Sequence, residues 1–156
     1  MQHDHSRRIG YLLLLVCLLV LSGCEPVEPN RTASSGAATS TTGNGKIPIT
    51  TSSDEARKAF LAGRELSEKL RLTDSLAHYD KAISLDPNFA WAHLLRAQVS
   101  PTGKEFFEHL KHAVSHADKA SDGERMLIQA AEAGANGNPS KQKETLEKLV
   151  AAYPNE

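Results

Sequence analysis

Hydrophobic and polar positions divide the chain into three stretches. From Ile9 to Leu21 the residues are apolar apart from Gly10 and Tyr11. From Glu25 to Ser53 they are mostly Ser, Thr, Gly, Ala, Pro and Asn, with Ile47-Pro48-Ile49 as the one apolar island. Beyond that, apolar residues recur three and four positions apart, the spacing of amphipathic helices. Ser52…Glu55, Thr102…Glu105 and Ser121…Glu124 have the capping-box spacing, in which an N-cap hydroxyl and a carboxylate three residues on satisfy each other's backbone donors. Thr73 offers another cap, and Asp86-Pro87 and Asn138-Pro139 each set a cap before a proline suited to the first helical position. Six starts predict six short helices joined by tight turns. No alternating run demands a strand, so the fold class is all-α.

The middle of the helical stretch sets a repeat. Ala56 to Phe89 spans 34 residues, with a fresh helix at Ala90-Trp91, and Gly63, Leu66, Tyr79, Ala82 and Pro87 stand inside that window. Together with the run Tyr79-Asp80-Lys81-Ala82-Ile83-Ser84-Leu85-Asp86-Pro87-Asn88, this resembles the tetratricopeptide repeat (TPR), a helix–turn–helix unit that uses small residues where its helices cross. The second unit, Ala90 to about Ser121, is degenerate: Ala97 keeps the small crossing position, Ser100-Pro101-Thr102-Gly103 shortens its first helix, and Phe107, Leu110, Ala113, Val114 and Ala117 give the second an apolar face. The third, Asp122 to Pro154, keeps Ala130, Asn138-Pro139 and Tyr153-Pro154-Asn155. Leu146, Leu149, Val150 and Tyr153 form a stripe on its last helix, which reads as a capping face; the rival readings are the front of a longer array and an open end that pairs with a second copy.

The resemblance implies a helix-turn-helix repeat stack of about three pairs, a right-handed superhelix over residues 54–156. It also implies a concave groove, lined by the first helix of each pair, that holds a protein or peptide partner. Its lining would be Arg57, Phe60, Arg64 and Glu68 from the first unit, Trp91, Leu94 and Gln98 from the second, and Glu124, Leu127 and Ala131 from the third. Arg57 and Arg64 lie two turns apart on one face, suited to clamping a carboxylate.

The amino-terminal stretch reads as an address. Arg7 and Arg8 precede an apolar core of about 13 residues, too short for a membrane span but suited to a signal peptide. Leu21-Ser22-Gly23-Cys24 follows and resembles the lipobox of bacterial lipoproteins. That implies cleavage between Gly23 and Cys24, a diacylglyceryl thioether on Cys24, and a further fatty chain, palmitate among the candidates, on the freed amine. Two or more chains anchor stably, at roughly 0.8 kcal/mol per buried CH₂. The implied location is the bacterial cell envelope, lipid-anchored and facing the periplasm; Glu25, unlike an aspartate there, favours the outer membrane over the inner. Residues 1–23 are then the signal peptide, and residues 24–53 the lipidated cysteine with a flexible linker. That linker reaches about 30 Å as a free coil, with its apolar island expected against the first helix.

Composition then narrows the functions. Net charge is −1, and losing Arg7, Arg8 and Asp4 with the signal peptide moves it to −2, which argues against nucleic acid. Of two cysteines, Cys17 leaves with the signal and Cys24 is modified, so no disulfide is expected. No Gly-rich phosphate loop, nucleophile elbow or His-Glu-x-x-His helix is present, so neither catalysis nor a cofactor is expected. Seven histidines are notable. His109, His112 and His116, with Glu105 a turn earlier, share one stripe of a helix. They offer an alternative reading as a metal-binding lipoprotein, against a solvated helix face; His78 and His93 read as isolated.

Overall fold

The computed structural model describes residues 44–156. The signal stretch, Cys24 and the linker as far as residue 43 lie outside the described residues. Six α-helices follow one another: α1 (Asp54–Glu68), α2 (Leu72–Leu85), α3 (Ala90–Gln98), α4 (Gly103–His116), α5 (Asp122–Ala135) and α6 (Pro139–Ala152). A 3₁₀ turn, Ala117–Lys119, separates α4 from α5, and no strand occurs among the described residues. Packing is heaviest within α1–α2, α3–α4 and α5–α6, while α2 touches α3 and α4 touches α5. The described residues thus form an all-α stack of three helical hairpins.

Local chemistry explains where the helices begin. Ser121 and Glu124 close a full capping box at α5, Thr102 Oγ1 accepts from Glu105 N at 3.2 Å, and Asn138 Oδ1 accepts from Lys141 N at 3.1 Å with Pro139 behind it. Three expected caps differ. α1 is capped by Ser53, because Ser52 spends its N–H and hydroxyl on Asp86. α2 starts at Leu72 behind Arg71, without a side-chain cap from Thr73. The third start falls at Ala90 and not Pro87, since Asp86 caps the turn at Asn88 N and binds the amino-terminal segment.

Two of the three hairpin turns share one geometry. Arg71 N bonds Leu66 O at 2.9 Å, with Leu70 at φ 59°, and Asn138 N bonds Ala133 O at 2.8 Å, with Gly137 at φ 70°. This six-to-one closure needs a left-handed residue, which glycine adopts freely and leucine at a cost. The middle hairpin departs from it, as Ser100-Pro101 requires. There Arg96, nearly buried, donates to Asp80 at 2.7 Å, to Ser100 Oγ at 2.8 Å and to Glu105 at 2.9 Å, tying α2, α3 and α4 together.

Small residues sit at the crossings. A Cβ on Gly63 would lie 2.7 Å from the Tyr79 ring, and Ala82, Ala97 and Ala130 are buried. Phe60 anchors the core between Phe89 and Trp91, its ring centroid 4.8 and 5.2 Å from theirs. On α4 the face is rotated from the expected one: Phe106 packs inward and Phe107 is exposed, because the 106, 110, 113, 117 spacing is the one that meets the core. On α6 Leu149 is buried, but Leu146 and Val150 are exposed, so the expected stripe is only half covered.

The folded unit also begins earlier than expected. Residues 46–53 form neither helix nor strand but are packed, not a free tether: Ile47 is 5% exposed, a burial that contributes about 1.5–3 kcal/mol. The reason lies in where that segment runs.

Candidate functional site: a helical face with a segment laid along it

The first helices of the three hairpins, α1, α3 and α5, carry the residues expected to line a groove. A segment from Lys46 to Ser52 lies along this face, bridging α1 and α5. Ile47 joins the buried cluster that contains Phe60, Trp91 and Leu94. Gly123, in the first turn of α5, makes room for it: a Cβ there would lie 2.8 Å from two carbons of the Ile47 side chain. Lys46, Ile47 and Ile49 share a depression with Leu61, Arg64, Glu65 and Glu68 of α1.

The segment forms no secondary structure, so its polar groups look outward for partners. Thr50 N donates to Glu124 Oε1 at 2.9 Å, Thr50 Oγ1 accepts from Ser121 N at 3.1 Å, and Ser121 Oγ donates to Pro48 O at 2.9 Å. Thr51 Oγ1 donates to Asp86 Oδ2 at 2.6 Å, and Ser52 donates to the same oxygen through N and Oγ. The carboxyl-terminal residues close over the other end: Ile47 N donates to Glu156 Oε2 at 3.0 Å, and Asn155 N to Gly45 O at 3.0 Å.

The two buried carboxyls respond differently to this arrangement. Burial pushes the Glu124 carboxyl up, against hydrogen bonds from Thr50 and Ser121. Burial also pushes Asp86 up, but the bonds from Thr51, Ser52 and Asn88 outweigh it and hold the group below the usual carboxylate range.

With the segment in place, the expected lining separates into two sets. Phe60, Trp91, Leu94 and Glu124 are buried, the first three in one cluster with Ile47, so they offer no open contact surface. Glu124, read as a groove contact, serves as the α5 capping carboxylate and the acceptor for Thr50. Leu127 and Ala131 are half-buried and packed on the core, and Arg57 is half-buried. Arg64, Glu68 and Gln98 remain accessible, together lining a depression of about 260 Å³ with Leu72, Leu95, Val99 and Tyr79. Arg64 lies 5.0 Å above the Trp91 ring and pairs with Glu156 at 2.9 Å. It therefore touches both the occupied and the open part of the face; Arg57, two turns earlier on α1, is half-buried as Arg64 is.

Sequence reasoning noted Ile47-Pro48-Ile49 as apolar but missed Thr50, Asp86 and Ser121 as its partners. Their only signal was type: hydroxyl residues and a carboxylate, which most often serve as caps and turns.

The histidine stripe is also rearranged. His93, read as isolated, is buried on α3 against all three stripe residues: its Nδ1 lies 3.3 Å from His109 Nδ1, and its ring centroid 5.0 Å from His112 and 6.2 Å from His116. Its Nε2 bonds Pro87 O at 3.1 Å, and since a carbonyl only accepts, that nitrogen carries the proton. Burial lowers the His93 pKa to about 4, with the neighbouring imidazoles adding to the effect and the Pro87 bond opposing it. Glu105 is drawn away to Arg96, whose hydrogen bond holds its carboxyl below the ordinary value. Among the described residues no group of three or more His, Cys, Asp or Glu side chains is placed to hold a metal ion. The stripe faces α3, and Glu105 serves an ion pair with Arg96.

No helix of the described residues is long and apolar enough to cross a membrane. Comparison with family models, curated proteins and solved structures returns no match.

Proposed function

We propose that the protein is a TPR-like, lipid-anchored scaffold that holds a protein or peptide partner at the bacterial cell envelope, without making or breaking bonds. Cys24 supplies the anchor, residues 25–43 the tether, and the face of α1, α3 and α5 the docking surface. The observation that carries this reading is that the face holds a polypeptide stretch with no helix or strand of its own. Ile47 is seated beside Gly123, and backbone groups of residues 47–52 bond to side chains far away in sequence. A surface that accommodates one such stretch has the shape and the side-chain donors and acceptors to recognise another. The accessible depression around Arg64, Gln98 and Tyr79 continues that face.

Affinity capture from intact cells, with the tethered chain as bait, tests the docking surface. A partner recovered by the wild-type chain and lost with Arg64→Ala supports it; equal recovery by both overturns it. Intact-mass analysis of the membrane-extracted protein tests the anchor: a chain beginning at an acylated Cys24 is expected, and an unmodified thiol removes the lipoprotein reading.

A further inference from the structure

The stretch laid along the helical face belongs to the protein itself, and it is held as a bound peptide is held. It forms neither helix nor strand, and its polar contacts reach Ser121, Glu124, Asp86 and Glu156, all well separated from it in sequence. Its apolar contribution is concentrated in Ile47, fully buried, and Ile49, half-buried against the same cluster, one on each side of Pro48. A proline between them fixes part of the backbone conformation in advance and lowers the entropy lost on docking.

Two features make this occupant replaceable. It joins the helices only at Ser53, whose cap on Ala56 N belongs to α1 and is independent of Ile47, so the segment can leave without breaking a helical hydrogen bond. The cluster that Ile47 joins also holds an unmet donor, because the indole Nε1–H of Trp91 is buried without an acceptor among the described residues. A ligand that supplies an acceptor there gains what the resident lacks.

We propose that residues 46–52 are the resident occupant of the helical face, and that the partner is a segment of the same chemistry which binds by displacing them. That chemistry is a pair of β-branched apolar residues flanking a proline, followed by hydroxyl residues. This rests on the reading of the face as a docking surface and deepens it by naming the ligand class and the competitor. Displacement means that affinity is reduced by the fraction of molecules whose face is already filled. Unseating the resident must therefore tighten binding without any new contact.

The probe is a fluorescein-labelled synthetic peptide reproducing residues 44–53, with its carboxyl end amidated, titrated against the full chain by anisotropy. Ile47→Asp unseats the resident, and Gly123→Val fills the space that Ile47 occupies. At least tenfold tighter peptide binding to Ile47→Asp than to wild type is expected, with binding lost in the double variant Ile47→Asp/Gly123→Val. Amide exchange at Thr50, slow in wild type, becomes fast in Ile47→Asp. Equal peptide affinity for wild type and Ile47→Asp overturns the proposal. So does an opened Ile47→Asp that ignores the peptide. If Ile47→Asp and the milder Ile47→Ser both lose their helical circular dichroism, the segment is a fixed part of the fold and the proposal is likewise overturned. A concentration-dependent dimer of wild-type chains, abolished by Ile47→Asp, would make a second copy the occupant and overturn it in that direction. Envelope-partner capture that depends on Arg64 while the peptide arm fails would remove this inference alone. Failed capture with working peptide exchange would remove the scaffold reading instead.

Discussion

The face of α1, α3 and α5 and the outer face of α6 both carry apolar side chains, yet among the described residues only one of them is covered. On the first, Phe60, Trp91 and Leu94 are buried in one cluster with Ile47, which belongs to a segment of the same chain bonded to that face. On the second, Leu146 is 38% and Val150 65% exposed, beside Pro139, Gln142, Lys143 and Glu147. The difference lies in what can satisfy a covering backbone. Glu124, Ser121 and Asp86 accept from or donate to the segment on the first face, so a strip with no helix or strand of its own can lie there without orphaned polar groups. The lysines and glutamates of α6 pair with one another along the helix, as Lys143 does with Glu147 and Lys148 with Glu144. Apolar area alone does not recruit a cover; apolar area rimmed by properly placed hydrogen-bonding groups does.

Mutation can break that contrast at its strongest point. Phe60→Ala, in the cluster with Ile47, is expected to cost about 3–5 kcal/mol of folding stability, measured by urea denaturation. Glu124→Gln keeps the side chain's shape but sets an NH₂ group against one of two backbone N–H donors, Thr50 or Ser121. A loss of about 1–3 kcal/mol is expected, with faster amide exchange at that donor.

Acid sharpens the comparison from the other side of α3. His93 has a pKa of about 4 in the folded chain against 6.5 as its ordinary value, so the unfolded chain takes up the proton first as pH falls. The stability linked to this group is complete above about pH 6.5 and declines as pH drops toward about 4. His93→Gln is expected to flatten that decline by about 1–2 kcal/mol, read as the difference between the two chains' melting curves at pH 7.5 and pH 5.

Two smaller effects test the exposed parts. Leu70, 84% exposed at φ 59°, occupies the position that Gly137 holds in the last hairpin. Leu70→Gly is expected to stabilise by about 0.5–1 kcal/mol, since it removes left-handed strain and no buried contact. Val150→Ser on α6 is expected to change stability by less than about 0.5 kcal/mol; a larger loss would show that the open face is covered in solution.

Much of the architecture was legible along the chain. Helix number, the all-α class, the crossings at Gly63, Ala82, Ala97 and Ala130, and the caps at Thr102, Ser121 and Asn138 follow from local chemistry: spacing of three and four, small side chains, and hydroxyls or amides ahead of a helix. That Arg64, Trp91 and Glu124 sit on the first helices of their hairpins was legible too, because helix limits and register are local properties.

Tertiary structure decided what that face does with its residues. Ser52 is a good cap by sequence, but it serves Asp86, 34 positions away; Glu105 and His109 share a stripe with His112 and His116, but Arg96 and His93 set their partners. Short-range pattern fixes which side chains point the same way, because each helix is built from its own hydrogen bonds. Which distant segment comes to lie on them depends on the burial of Ile47 and on donors and acceptors that meet only once the three hairpins have stacked.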